Sequence, residues 1–222
     1  MLARRALLGA GIAGLFVPSL ALAQAPKDPL ASRFGGPFSL TDHTGTSVTD
    51  KTYAGMFMLI YFGFTRCTDA CPIDVPNLTN ALDLIKPLDE RIQPLFITVD
   101  PTDTADDLKE YVTAFHPRLV GLTGPESALA AVAKAYRVHR LRVKHDVMRD
   151  SIRSSGPRHA VTTSERITPV HGDKPHVQGQ KYSINHGTLS YLMGRDGGFL
   201  SIVPHASKAE RIAEVLKKYV SV

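Results

Sequence analysis

The chain has 222 residues of ordinary composition, 43% hydrophobic and 21% charged, with no internal repeat. That excludes a repeat array and suits one domain with a sizeable core. The formal net charge is +5, and only two cysteines are present.

Residues 1–23 read as an export signal. Arg4 and Arg5 form a basic start, Ala6 to Val17 an apolar run of small residues, and Ala21-Leu22-Ala23 an A-x-A cleavage site. Pro18 and the A-x-A site favour cleavage. The alternative is an uncleaved anchor, since residues 6–23 are just long enough to span a membrane. No cysteine lies near the cleavage site, so a bacterial lipid anchor on cysteine is excluded. Export places the cysteines in an oxidising compartment such as the bacterial periplasm and disfavours a nucleic-acid partner. Residues 24–36 read as a linker and 37–222 as the folded domain.

Residues 37–42 and 46–49 read as two short strands around a turn at His43-Thr44-Gly45. Met56 to Phe64 is a continuous apolar run, the pattern of a strand buried on both faces. A helical pattern follows from Pro72 to about Leu88, with Val75, Leu78, Leu82 and Ile85 on one face. Between strand and helix lie Cys67 and Cys71.

That junction carries chemical consequences. A helix's first turn leaves backbone N–H groups unpaired, and its macrodipole adds roughly half a positive charge there. Both favour thiolate, the form that attacks disulfides and binds soft metals. In a helical turn, residues four apart share a face, which suits a disulfide or two ligands to one metal ion. A purely structural disulfide would close a ring of five residues. It would constrain the unfolded chain by only about 2 kcal/mol, which makes it a poor staple.

Pro94 to Val99 reads as the next buried strand. Asp100 lies at its carboxyl end, where open α/β sheets place functional groups; its bland reading is a turn or cap carboxylate. A helix capped by Asp103 or Thr104 runs to about His116, Leu119 to Leu122 is a short strand, and Pro125 to Tyr136 is an Ala-rich helix. From Arg140 to Lys181 nine basic residues stand against four acidic ones, a surplus equal to the net charge of the whole chain. This stretch, with His145, His159, His171 and His176, reads as a mobile basic insertion at about 140–181. Its charge suits either an acidic partner or anionic lipid head groups, and the second alternative would bring the domain close to a membrane. Beyond it, Thr188 to Met193 and Gly198 to Val203 form a hairpin around Asp196-Gly197, and Ser207 to Val220 an amphipathic helix.

The core order is strand, thiol-bearing turn, helix, strand, helix, hairpin, helix. It matches an α/β, thioredoxin-like fold: a central mixed sheet flanked by helices, with an N-terminal β-hairpin extension and a long basic loop insertion.

Three segments then carry a specific resemblance. Residues 61–72, YFGFTRCTDACP, resemble the signature of the Sco/SenC/PrrC family, usually YFGFTxCPDxCP. Thr98-Val99-Asp100-Pro101 resembles the segment after that family's next strand. Tyr182 to Thr188 resembles its distal-histidine segment. The resemblance implies a thioredoxin-like fold that binds one copper ion, Cu(I) or Cu(II), through Cys67, Cys71 and His186. It also implies a copper chaperone in cytochrome c oxidase assembly. The expected partners are a copper-receiving subunit of the oxidase or another copper protein, and a thiol–disulfide reductant. Two departures stand out. Thr68 and Asn185 occupy positions where the family usually has proline and aspartate.

Two enzymatic readings compete. In a periplasmic thiol–disulfide oxidoreductase, Cys67 attacks and Cys71 resolves as a redox-active pair. Against it, general thioredoxins use CxxC and place a cis-proline before the hairpin strand, where Ile184 to Thr188 contains none. A thiol peroxidase would need a positive charge beside its cysteine, and Arg66 is the adjacent candidate.

Overall fold

The computed structural model describes residues 33–144 and 182–221. The export signal, most of the linker and residues 145–181 of the basic insertion lie outside the described residues.

The sheet is built on β3, Phe57–Gly63, whose seven residues are all buried. β3 pairs in parallel with β4, Ile92–Thr98, on one side and antiparallel with β8, Ser190–Met193, on the other. A strand so enclosed needs apolar side chains on both faces, which is why its sequence runs without alternation. β5, Val120–Thr123, extends the parallel side, and β9, Phe199–Val203, the antiparallel side. The N-terminal hairpin of β1, Ser39–Asp42, and β2, Ser47–Thr49, adds to β5. The order across the seven strands is β2-β1-β5-β4-β3-β8-β9.

Two cores sandwich this sheet. Phe57, Leu59, Tyr61 and Phe96 point to one face. They pack there under α1 (Cys71–Asp83), α2 (Ala105–Thr113) and α4 (Ala209–Val220). Met58, Ile60, Phe62, Leu95 and Ile97 point to the other, under α3 (Glu126–Ala135) and Tyr136. The alternation along β3 is the two-residue period of a strand made visible by its two coverings. α2 opens on a reciprocal cap: the Asp107 N–H donates to Thr104 Oγ1 at 3.1 Å, and the Thr104 N–H to Asp107 Oδ2 at 2.9 Å.

Two elements differ from the sequence reading. α1 ends at Asp83 rather than near Leu88. Pro87 disfavours helical backbone at the preceding residue, and a short 3-10 turn, Leu88–Arg91, follows. The expected insertion also opens in regular structure. Arg140–Lys144 is a strand, β6, paired antiparallel with β7, Tyr182–His186. This two-stranded ribbon stands outside the seven-stranded sheet. Among the described residues no helix is long and apolar enough to cross a membrane.

Candidate metal centre

β3 delivers the chain to residues 64–70, and α1 begins at Cys71. The two cysteines therefore do not share a helical turn. Cys67 sits in the loop and Cys71 is the first residue of the helix. Both are free thiols; Cys67 is half-buried and Cys71 fully buried. Gly63 makes room for the inner sulfur. A Cβ at that position would lie 2.7 Å from Cys71 Sγ and 2.8 Å from the Phe96 ring, so only glycine ends this strand without displacing the thiol.

His186 arrives from the ribbon, at the end of β7 and opposite Arg140. Its ring meets Phe64 edge-on, with centroids 5.8 Å apart. Nδ1 lies 2.9 Å from the Gly187 carbonyl oxygen. That bond makes Nδ1 the protonated nitrogen and leaves the Nε2 lone pair for a metal. Asn185 does not orient His186; its Oδ1 lies 3.2 Å from His139 Nε2. The Gly187 backbone carbonyl holds the imidazole instead.

The ligand atoms of Cys67, Cys71 and His186 all lie within 4.8 Å of one another. A cleft of about 350 Å³ opens over them, lined by Phe64, Cys67, Thr68 and Asp69 on one side and by Ser183 and His186 on the other. Two thiolates and one imidazole in a small open cluster suit a soft or borderline ion.

The two sulfurs are unlike. The hydrogen bond from Cys71 holds the Cys67 thiol down at about 4, against the effect of burial. The backbone N–H groups of Cys71 and Asp69 add to it. The same bond, reinforced by burial, pushes Cys71 far above the usual thiol range. The pair thus shares one proton at neutral pH, with an accessible thiolate outside and a thiol inside. Cys67 is the outer sulfur of the pair and Cys71 the inner one.

Asp100 ties the thiol loop to the ribbon. It is fully buried and accepts from Arg66 Nη2 at 2.8 Å and from the Tyr182 hydroxyl at 2.9 Å. Arg142 Nη2 lies 3.5 Å away and stacks its guanidinium over the Tyr182 ring. Burial raises the Asp100 carboxyl, but the Thr102 N–H, Arg66, Tyr182 and the Thr102 hydroxyl outweigh it and hold the group below the usual carboxylate range. Next to it, Asp103 receives the N–H and hydroxyl of Thr65 at 3.0 and 2.7 Å. Arg140 completes the tie by bonding the Val99 carbonyl and, bidentately, Glu126. Arg66 is therefore committed to Asp100 and Asp103, which lie 2.8 and 3.4 Å away. That removes the support for a peroxidase, where the guanidinium would have to serve Cys67.

Position at a strand's carboxyl end singled out Asp100 in the sequence. Arg66 and Tyr182 carried no such mark as its partners, because they lie 34 and 82 residues away.

Comparison with known proteins gives the family. The SCO1/SenC family model matches residues 26–156 and 149–221. The human mitochondrial SCO1 homologue is 36% identical over 81% of the chain, and the chain spans 50% of that protein's length. A SCO2-like protein of Rickettsia prowazekii is 31% identical, with 93% of this chain and 90% of that protein covered. Among solved structures, copper-bound ScoI of Bradyrhizobium japonicum superposes with a TM-score of 0.64 at 33% identity, covering 84% of this chain and 99% of its own. Copper-bound ScoI of Arabidopsis thaliana gives 0.65 at 28% identity, covering 85% and 98%. Fold, motif order and relatives converge, and the chain belongs to the SCO1/SenC family.

Proposed function

We propose that this chain is a copper chaperone that carries one copper ion on Cys67, Cys71 and His186 and passes it to a copper-receiving subunit of cytochrome c oxidase or a similar copper protein. One observation carries the reading: three soft-leaning donors converge within 4.8 Å beneath an open cleft. Thiolates suit Cu(I), and imidazole adds affinity for Cu(II), so the site tolerates both oxidation states. The cleft over the three donors would let a partner's ligand reach an ion held there. The copper-bound family structures support copper over zinc, which the donor types alone also allow. Residues 1–23, read as an export signal, support a periplasmic site of action, with the domain either released or held at the inner membrane by an uncleaved N-terminal segment.

The unlike sulfurs favour a second activity of the same pair. As a thiolate, Cys67 can attack a target's disulfide, forming a mixed disulfide and releasing one target thiol. Cys71 then closes on Cys67 and frees the second target thiol. A periplasmic dithiol must restore the reduced pair. This activity prepares a target's cysteines for copper, and the two roles do not exclude each other.

Copper stoichiometry and affinity, measured on the reduced chain beside Cys67→Ser and His186→Ala, test the proposal. The expected result is one tight copper per chain, lost or weakened at least tenfold in both variants while their folds persist. No tight copper, together with rapid exchange on a disulfide target, would leave the oxidoreductase standing alone.

A further inference from the structure

Beneath the inner sulfur lies a polar chain that metal ligation alone does not require. The Tyr61 hydroxyl stands 3.8 Å from Cys71 Sγ and 3.2 Å from Asp74 Oδ2. All three residues are buried, Cys71 fully and the others at 5% exposure or less. Asp74 is gripped from the far side: His205 Nδ1 lies 2.8 Å from Oδ2, and the Ala206 N–H donates to Oδ1 at 2.8 Å. Ala206 gives that bond from a left-handed backbone, φ +57°, which a residue with a Cβ rarely adopts. His205 is 41% exposed on its side chain, so the chain runs from solvent to the buried sulfur.

Packing does not explain Tyr61. Phe57 and Leu59 fill the same face of β3, and phenylalanine would fill the same space. A buried hydroxyl or carboxylate is costly unless bonded, so each member here is retained by its partners. The hydroxyl has one proton and two acceptors, the Cys71 sulfur and the Asp74 carboxyl oxygen. A hydrogen bond to a ligating or redox-active sulfur withdraws electron density from it and shifts its potential.

We propose that Tyr61 is a positioning residue for Cys71, and that Asp74, held by His205 and Ala206, competes with the sulfur for the Tyr61 proton and so sets how strongly that sulfur donates. The inference rests on Cys71 being a working sulfur of the proposed site. Removing the donor and removing the competitor must then act with opposite sign, whereas a merely structural role would move both variants alike or neither.

The test equilibrates the copper-free chain with reduced and oxidised glutathione and measures the fraction of dithiol. As the Cys67–Cys71 bond closes, glutathione disulfide takes the two electrons and opens to two thiols. Tyr61→Phe is expected to shift the equilibrium toward the disulfide by about tenfold, which is about 30 mV. Asp74→Asn is expected to shift it toward the dithiol by a smaller factor. His205→Ala, which frees Asp74 to pull harder on the Tyr61 proton, should shift it toward the disulfide. If Tyr61→Phe does not fold, the opposite signs of the other two variants carry the test. Shifts of one sign throughout, or none, would overturn the proposal. In the Cu(II)-loaded chain, Tyr61→Phe should move the sulfur-to-copper charge-transfer band to longer wavelength, and an unmoved band would overturn it too. The glutathione equilibrium needs no copper. Failure to bind copper would therefore sink the chaperone reading and leave this one intact.

Discussion

The thiols and the histidine belong to two differently built regions. Cys67 and Cys71 are set by β3 and α1, between two apolar cores that enclose a seven-stranded sheet. His186 hangs on β6 and β7, a two-stranded ribbon of a kind that is marginal by itself in water. Among the described residues, the ribbon is held by the buried side chain of Ile184, by Tyr182 packed against the same core, and by polar ties through Asp100, Val99 and Glu126. The difference teaches where adjustability lies. The sulfurs are placed by packing, which is stiff. The histidine is placed by directional bonds, which can be broken one at a time.

Asp100→Ala should break this arrangement most. It leaves Arg66 without its main partner and frees Tyr182 and Arg142 from the thiol loop. Removing one partner of a buried pair costs about 3–5 kcal/mol; with Arg66 30% exposed, we expect about 2–3 kcal/mol here. Copper affinity should fall by about tenfold or more, since the histidine loses its tether. Urea denaturation and chelator competition measure the two effects. Unchanged affinity would mean that the ribbon needs no tie.

Ile184→Ala removes the ribbon's apolar peg, which is 8% exposed. The expected cost is about 2 kcal/mol, at the low end for such truncations, with a larger relative loss of copper affinity than of stability. Gly63→Ala sharpens the contrast from the sheet side. The added methyl meets Cys71 Sγ and the Phe96 ring, so overpacking should cost about 1–3 kcal/mol and displace the inner sulfur with β7 untouched. A thermal melt that matches the parent would contradict this.

A pH titration separates the sulfurs without mutation. With its thiol at about 4, Cys67 is a thiolate at neutral pH and protonates only as the pH falls through that value. Its alkylation by iodoacetamide in the copper-free chain should stay nearly level from pH 8 to pH 5 and fall by half near pH 4. A profile centred above pH 8 would remove the asymmetry. The smallest effect is expected of Thr68→Pro, which restores the usual family residue at an exposed loop position. Stability should change by no more than about 0.5 kcal/mol. A change larger than that would show the loop to be tighter than its exposure suggests.

Much of the sheet region was legible in the chain. The unbroken apolar run of β3, the amphipathic face of α1 and the turn residues between β8 and β9 are local signals, and the structure places those elements within a few residues of expectation. The ribbon was not legible. Arg140–Lys144 reads as the start of a basic loop because the positive charge of the whole stretch outweighs a five-residue alternation of charged and apolar side chains, a strand period too short to decide by itself. Its strand state comes from pairing with residues about forty positions later. The expected sharing of a helical turn by the cysteines failed for a related reason. Spacing gives proximity, but the start of α1 is decided by how the loop packs.

By itself, then, the sequence determined the α/β plan, the thiol pair at a strand-to-helix junction and, through the resemblance, the histidine that joins it. Those are properties of period and spacing, which neighbouring residues carry between them. Only the tertiary structure decided that Gly63 must be glycine, that Asp100 binds loop to ribbon, that the Gly187 carbonyl orients His186, and that Tyr61 stands between Cys71 and Asp74. Each depends on atoms brought within a few ångströms from distant parts of the chain or around a turn, and no local pattern encodes such a meeting.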